Sequence, residues 1–368
     1  MPGIVLAYLS RLGTPLLAHE KVTLEAVAEA VAQIKHYEFA GWYDVAKRHS
    51  DDVYFVPDDT LMPDEVAFLG IRSPNDFFGG MVSHAFVKTK AITHQLVSRD
   101  ADRPSGWSSL FAEKVRDVVL PGYTAFSARD ARAAAKRLAS HGPIRLKRSL
   151  ACGSRGQIVV ATADELDASL ADFPSDELTT AGLVLESNLR EVVTLSVGQI
   201  AIGDRMISYH GIQRLTKDNE GRAVYGGSDL ACVRGGWEAL ARLPITTDVR
   251  IGVEQAMAYE AAMSAYPGHM ASRRNYDVGQ GLDAHGKWRS GVFEASWRSG
   301  GASTAELAAL TAFARDPCLH VIKTCSIKEY GSGHKPPPHA AVHFRGVDPQ
   351  DGPLIRYTLA PQALCWAA

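Results

Sequence analysis

Residues 143–160 read PIRLKRSLACGSRGQIVV. Apolar and β-branched residues at both ends predict two strands, and the glycine and serine residues between them predict a loop. Such a loop lets backbone N–H groups approach phosphate oxygens closely, and Lys147 on the first strand adds a positive charge. The stretch therefore suits a nucleotide triphosphate, while a plain hairpin with a surface loop explains the same residues equally well.

The loop follows neither of two common nucleotide-binding motifs. No Gly-Lys-Ser or Gly-Lys-Thr opens a helix here, and a strand rather than a helix comes after the glycines. A second stretch must therefore support the nucleotide hypothesis.

That second stretch is residues 276–301, YDVGQGLDAHGKWRSGVFEASWRSGG. A hairpin that turns at residues 283–286 places Asp277 and Glu294 on neighbouring strands, at the same end of the ladder. Two carboxylates in that position can hold Mg²⁺, a hard cation that prefers oxygen ligands. The alternatives are that Asp277 caps a turn and that Glu294 forms a structural ion pair with Arg274 or Arg298.

The composition is that of a folded protein without a strongly charged surface. The chain has 368 residues, of which 46% are hydrophobic and 22% charged, and its formal net charge is -2. These values exclude disorder as the main theme and give no general attraction to nucleic acid or to an anionic membrane. Five scattered cysteines form no CxxC pair, and no apolar run reaches the roughly 18 residues that span a bilayer. We therefore expect a cytoplasmic protein with neither nucleic acid nor a membrane as a partner.

The pattern of apolar residues predicts an α/β fold. Helical spacing marks residues 23–35, 127–140 and 248–266, and strand hairpins are predicted at 192–209 and 276–295. Residues 101–109 are rich in Asp, Pro, Ser and Gly and mark a boundary after a first α/β lobe.

Taken together, the loop and the carboxylate hairpin resemble the ATP-grasp superfamily, over about residues 111–301. Within it, the chain looks most like an uncharacterised bacterial family of unknown function. The resemblance implies two α+β lobes that clamp ATP with Mg²⁺. It divides the chain into an N-terminal pre-ATP-grasp-like α/β domain (1–105), a small lobe with the glycine loop (106–190), a large lobe with the metal carboxylates (191–310) and a β-rich C-terminal extension (311–368).

The resemblance also assigns roles to individual residues. For the nucleotide it implies Lys114, Lys147, Ser149, Gly153, Ser154, Arg155, Gly156, Glu186, Ser187, Leu189 and Glu191. For the metal it implies Asp277, Glu294 and Ser296, the last standing where family members usually have Asn. Arg298, Lys147 and Arg274 are the expected catalytic residues, with a surface ion pair as the alternative for Arg274. Lys90, His84, Gly300 and Gly301 are expected at the substrate, with a turn and a solvated basic face as the alternative for the first two.

The implied function is an ATP- and Mg²⁺-dependent ligase. It would activate a small-molecule carboxylate as an acyl phosphate, which an amine or another nucleophile then attacks. Three alternatives stay open: an ATP-binding protein without ligase chemistry, a small-molecule kinase, and a metabolite-binding protein that takes no nucleotide.

Overall fold

The computed structural model describes residues 3–10, 15–49, 52–151 and 156–364. The helices are α1 (Ala18–Lys35), α2 (Pro63–Leu69), α3 (Ser109–Val115), α4 (Ala128–Leu138), α5 (Ala163–Ala171), α6 (Ser175–Thr180), α7 (Trp237–Ala241), α8 (Thr247–Ala262) and α9 (Ser303–Arg315). No helix in these ranges is both long and apolar enough to cross a membrane.

The strands alternate with the helices at first and then follow one another. They are β1 (Ile4–Tyr8), β2 (Glu38–Trp42), β3 (Val53–Pro57), β4 (Gly80–Met81), β5 (Gly122–Ala125), β6 (Ile144–Arg148), β7 (Gln157–Val160), β8 (Leu183–Ser187), β9 (Arg190–Ile202), β10 (Arg205–Lys217), β11 (Ala223–Arg234), β12 (Met270–Ala271), β13 (Arg273–Leu282), β14 (Trp288–Ser296), β15 (Val321–Tyr330), β16 (Ala341–Asp348) and β17 (Gly352–Ala363).

The first part of the chain forms a small parallel sheet of order β2-β1-β3. Helix α1 connects β1 to β2 and buries Leu24, Val27 and Val31, which recur on one face at helical spacing. These side chains share one apolar core with α9 and with strands of the large sheet described below. The N-terminal sheet is thus packed firmly against the rest of the molecule.

The remaining strands form three antiparallel sheets, one of which is the short pair β4-β12, and the other two are larger. The smaller has the order β5-β8-β6-β7, and the larger has the order β14-β13-β9-β10-β11-β15-β17-β16. The C-terminal strands β15, β16 and β17 continue the larger sheet from the edge of β11, so residues 321–363 share a sheet with the carboxylate hairpin.

Most of the expected elements occur near their expected positions. Ser127 caps α4 by accepting a hydrogen bond from the backbone N–H of Asp130 at 3.2 Å, and Thr162 caps α5 in the same way. The sequence analysis did not identify β11, whose alternating apolar and polar residues include three glycines or serines in succession. The prediction of an α/β fold is confirmed, and the mixture of a parallel sheet with antiparallel sheets gives it α+β character.

A buried ion pair joins the large sheet to α9. Arg273 of β13 donates to Glu306 of α9, with Nη2 to Oε1 at 2.8 Å and Nε to Oε2 at 3.1 Å. The Tyr209 hydroxyl donates to the same Glu306 Oε1 at 2.6 Å. Both ion-pair side chains are almost fully buried, so each charge depends on the other for the solvation it lost on folding.

We predict that Glu306→Leu lowers the free energy of unfolding by about 3–5 kcal/mol, because it leaves the Arg273 charge buried without a carboxylate. Urea denaturation measures the change. The matched control is Asp102→Ala, which breaks the exposed Asp102–Arg129 pair (3.4 Å) and is expected to cost less than about 1 kcal/mol. Equal effects of the two substitutions would contradict the role given to the buried pair.

Candidate active site

A cleft of about 790 Å³ lies between the four-stranded sheet and the eight-stranded sheet. Strands β6 and β8 supply one wall, and β9, β10, β13 and β14 supply the opposite one. At one end the cleft is lined by the N-terminal part of α1 and by side chains of β15 and β17. The two stretches singled out in the sequence, 143–160 and 276–301, thus face the same space.

Lys147 and Glu186 form a buried ion pair on the wall made by the smaller sheet. Lys147 Nζ lies 2.5 Å from Glu186 Oε1, and His94 Nε2 lies 3.1 Å from Glu186 Oε2. Burial alone would raise the pKa of Glu186, but Lys147 and His94 lower it below its usual value. Glu186 is therefore an ionised carboxylate that holds the Lys147 ammonium at the cleft.

Asp277 and Glu294 face each other on the opposite wall. They are direct partners in the β13–β14 ladder, and both line the cleft. Burial and the nearby Glu294 charge raise the pKa of Asp277 to about 6. Burial also acts to raise the pKa of Glu294, but the Lys90 ammonium, with Nζ 3.0 Å from Glu294 Oε2, lowers it overall.

Lys90 links this carboxylate pair to the start of the glycine loop. It lies in a short 3₁₀ turn, and its side chain is 8% exposed. Besides contacting Glu294, its Nζ donates to the backbone carbonyl of Ala151 at 2.5 Å. Lys90 and Lys147 thus place two ammonium groups beside the carboxylates.

A β-bulge and a glycine shape the floor between the two walls. The β13–β14 register shifts between Asp277 and Val278, so that Phe293 has no partner of its own and points into the cleft. Its ring lies beneath Lys147, with Nζ 3.8 Å from the ring centroid. A Cβ atom on Gly279 would overlap this ring, which explains the glycine at that position.

Strand alternation decides which residues of β13 reach the cleft. Arg273, Asn275 and Asp277 share one face of the strand and line the cleft, because side chains alternate along a strand. Arg274 faces the other way, where its Nε lies 3.1 Å from Glu260 of α8. The expectation that Arg274 is catalytic is therefore corrected, because its neighbour Arg273 lies in the cleft. Arg273 and Asp277 are an even number of positions apart, so strand alternation alone would have placed them on the same face.

The structure brings many of the predicted residues together. In addition to the pairs described above, the cleft is lined by Leu189, Ser296, Arg298, Gly300 and Gly301. Ser296 stands opposite Asn275 in the ladder, and its Oγ lies 3.4 Å from Arg273 Nη1.

Other predicted residues lie elsewhere. Lys114 is exposed on α3, where its Nζ donates to Ser264 Oγ at 3.0 Å, and the His84 ring stacks on Phe86. The lining of the cleft does not include Glu191, Gly156, Ser149 or Ser187. Ser149 and Ser187 are nevertheless buried, and their hydroxyls have no hydrogen-bond partner in the described part of the chain. Gly153, Ser154 and Arg155 lie outside the described residues.

Lys114 and His84 are corrections with a physical cause. Lys114 belongs to the last turn of α3, whose apolar face packs inward, so its side chain points to solvent. The His84 ring fills the space above Gly106 and is held there by Phe86.

The donor set fits Mg²⁺ only with help from a substrate. The two carboxylates provide hard oxygen ligands. A divalent cation would stabilise their ionised forms, including that of Asp277, whose pKa is raised. Within the described ranges no cluster of three or more His, Cys, Asp or Glu side chains could hold a metal. The Asn275 amide is already engaged, since its Nδ2 donates to Asp277 and its Oδ1 lies 3.0 Å from the Tyr209 hydroxyl. A bound Mg²⁺ would thus complete its coordination with water and phosphate oxygens, as this ion usually does.

The sequence analysis missed several residues of the cleft. They are His19, Arg145, Tyr225, Asn275, Lys328, Asp351 and Arg356. Three of these lie in β15, in β17 or in the turn before β17, and nothing in the local sequence indicates that the C-terminal strands return to the site.

The chain belongs to a family described as "Protein of unknown function (DUF3182)", which matches residues 10–358. None of the curated proteins compared with the sequence matches it.

Several solved structures share the whole fold. N5-carboxyaminoimidazole synthetase from Staphylococcus aureus complexed with ADP is 10% identical, with a TM-score of 0.54 over 97% of this chain and 93% of that one. The biotin carboxylase domain of 2-oxoglutarate carboxylase from Hydrogenobacter thermophilus, in complex with MgADP, ADP and bicarbonate, is 10% identical, with a TM-score of 0.55 over 98% and 86% of the two chains. Both are ATP-grasp enzymes, and this chain has the ATP-grasp fold.

We predict that Gly279→Ala displaces the Phe293 ring from beneath Lys147 and lowers the free energy of unfolding by about 1–3 kcal/mol, the usual cost of overpacking. Chemical denaturation measures this. Gly346→Ala is the control, because its added Cβ on exposed strand β16 would meet only the Phe344 ring at 3.4 Å. A Gly279→Ala protein as stable as the control variant would show that the glycine is not needed for the ring.

Proposed function

We propose that the protein is an ATP- and Mg²⁺-dependent ligase. In this proposal it activates the carboxylate of a small molecule as an acyl phosphate, and an amine or another nucleophile then attacks that intermediate. The observation that carries the proposal is the cleft in which Lys90 and Lys147 face Asp277 and Glu294. Alternating ammonium and carboxylate groups are what a magnesium triphosphate requires, because its charges have both signs.

The likeness to ADP-bound and MgADP-bound ATP-grasp structures supports the nucleotide part of this proposal. The residues that would bind the triphosphate are Lys90, Lys147 and the backbone of the glycine loop. Lys147 is held in place by Glu186, and its ammonium is shielded from water by the Phe293 ring. Two positive charges fixed before the nucleotide arrives cost little reorganisation when negative charge shifts between phosphates.

The base would lie between the walls, where the cleft has an apolar lining. Leu189, Val192, Val193 and Ile212 line this part, and β8 and β9 meet there in the segment that resembles the family's adenine hinge. The side chains of Val192, Val193 and Ile212 are exposed, so a bound base would remove apolar surface from water.

Asp277 and Glu294 would hold Mg²⁺, which would supply positive charge to neutralise part of the phosphate charge. A carboxylate oxygen of the substrate then attacks the γ-phosphorus, and the bond to the β-phosphate oxygen breaks to release ADP. The nucleophile next attacks the carbonyl carbon, and inorganic phosphate leaves. Arg298 lines the cleft and is our candidate for stabilising the anionic intermediate.

We predict that Glu294→Gln weakens binding of Mg·ATP by about tenfold or more, equivalent to about 1.4 kcal/mol, because it removes a metal ligand. Lys147→Ala is expected to weaken it at least as much. Isothermal titration calorimetry measures both. Because Lys147→Ala also leaves Glu186 buried without its ammonium, its folding is checked by a thermal melt, and Glu294→Gln provides the cleaner test.

Lys114→Ala is the matched control, since Lys114 is exposed and lies away from the cleft. It is expected to bind Mg·ATP like the unchanged protein. If Glu294→Gln and Lys147→Ala bind Mg·ATP as tightly as this control, the assignment of the nucleotide site is wrong.

A second candidate function is ATP binding without ligase chemistry. It is favoured by Ser296, which stands where an Asn ligand usually follows the metal-binding Glu and whose hydroxyl contacts Arg273. Phosphate release in the presence of Mg·ATP and a panel of small carboxylic acids separates the two functions.

We predict that at least one acid stimulates phosphate release and that Glu294→Gln abolishes the stimulation. Affinity for Mg·ATP without stimulation by any acid would favour the binding protein. A stable phosphoester in place of phosphate would instead identify a kinase, and a melting temperature unchanged by Mg·ATP would exclude nucleotide binding.

A further inference from the structure

One end of the cleft contains two cationic side chains, and the elements that supply them lie outside the stretch that resembles the ATP-grasp superfamily. Lys328 of β15 and Arg356 of β17 line it, together with His19 of α1. His19 is separated from Lys328 by 309 positions in the sequence, whereas β15 and β17 belong to the same C-terminal stretch. The nucleotide site proposed above uses none of them.

Hydrogen bonds show which of these groups is already neutralised. Asp351 Oδ2 lies 3.0 Å from Lys328 Nζ and 3.2 Å from His19 Nε2, and it accepts from the Tyr330 hydroxyl at 3.2 Å. Arg356 Nη1 lies 3.2 Å from the other ring nitrogen of His19, Nδ1. Asp351 therefore pairs with the Lys328 ammonium and forms a hydrogen bond with His19. Among the described residues, the hydrogen-bond contact of Arg356 is with the His19 ring alone.

His19 is neutral in this arrangement. Burial, Lys328 and Arg356 lower its pKa to about 4. The neutral ring donates from Nε2 to Asp351 and accepts at Nδ1 from the Arg356 guanidinium, and this pattern satisfies both nitrogens. His19 thereby orients Arg356 without neutralising its charge.

No carboxylate of the described residues forms an ion pair with Arg356. Glu20 and Asp351 are the acids that line this end of the cleft, and both act on Arg356 only from beyond ion-pair distance. Burial lowers the pKa of the guanidinium, which indicates that its charge has lost solvation without gaining a direct partner. A partly buried arginine facing a cavity is suited to bind an anion.

This end adjoins the carboxylate pair. Burial raises the pKa of Tyr225. Among the nearby charges, Asp277 raises this pKa further and Arg356 lowers it. Tyr225, Asp277 and Arg356 all line the same cleft. A small molecule could reach from the phosphates at Asp277 to the guanidinium at Arg356 within the same cleft.

We propose that Arg356 and Lys328 form a subsite for an anionic group, a carboxylate or a phosphate, on a substrate of the ligase. This inference rests on the proposed function, and it identifies the substrate class as a molecule with an anionic group besides the carboxylate that is activated. Arg356 binds the group directly, Lys328 adds a second positive charge, and His19 and Asp351 are positioning residues.

The test is a calorimetric titration of the nucleotide-free protein with two probes, malonate and inorganic phosphate. Arg356→Gln removes the charge and leaves no carboxylate without its ion-pair partner, so it is expected to fold. Arg356→Lys keeps a positive charge. Lys323→Gln is the matched control, because it makes the same charge change at an exposed position of β15 outside the cleft. A thermal melt of each variant reports its folding.

The expected result is that at least one probe binds the unchanged protein and Lys323→Gln alike, and binds Arg356→Gln about tenfold more weakly. Arg356→Lys is expected to lie between them. Preference for malonate would identify a carboxylate, and preference for phosphate a phosphate group. Equal binding to Arg356→Gln and Lys323→Gln, or no binding of either probe to the unchanged protein, would overturn the subsite.

Because no nucleotide is present in this titration, its outcome is independent of the proposed function. If the protein binds a probe through Arg356 but does not bind Mg·ATP, the anion subsite is supported and the ligase function is contradicted. A protein that binds Mg·ATP but neither probe keeps the nucleotide site and loses the anion subsite.

Discussion

The carboxylates of Asp277 and Glu294 face each other on adjacent strands. The repulsion between their negative charges determines which charged groups must surround them. Like charges at such close range cannot both stay ionised unless positive charge is near. Lys90 supplies it directly to Glu294, and Lys147 adds to it from the opposite wall of the cleft. Lys147 in turn stays in place because Glu186 is buried beside it. The two walls are thus held in electrostatic balance around a space that suits a magnesium triphosphate.

The central sheet determines which side chains take part in this balance. Along β13 the alternation of side chains sends Arg273 and Asp277 into the cleft and sends Arg274 towards α8. Arg273 is tied to Glu306 of α9, so the floor of the cleft is anchored in the buried core. The bulge beside Asp277 then breaks the alternation at one point and turns Phe293 towards Lys147. A regular ladder would have pointed that ring to the other face.

The C-terminal strands do more than extend the sheet. They carry Lys328 and Arg356 to the end of the cleft where α1 contributes His19. The proposed nucleotide site and the proposed anion subsite therefore come from different parts of the chain. The ATP-grasp fold is shared with enzymes only 10% identical in sequence, so the identity of the substrates depends on such local differences.

The sequence by itself determined the local features of this protein. Periodicity located α1, α4, α8 and the carboxylate hairpin, and the glycine loop with Lys147 led to the prediction of a phosphate site, because these signals depend on residues close together in the chain. It did not distinguish Arg273 from Arg274 or Lys90 from Lys114 as the residue of the cleft, and it gave no sign of Lys328 and Arg356. Only the tertiary structure showed that Lys90 and Arg356 line the cleft, because Glu294, which Lys90 contacts, and His19, which Arg356 contacts, lie two hundred or more positions away in the sequence. Contacts over such separations arise from how the sheets pack, and no short stretch of sequence encodes them.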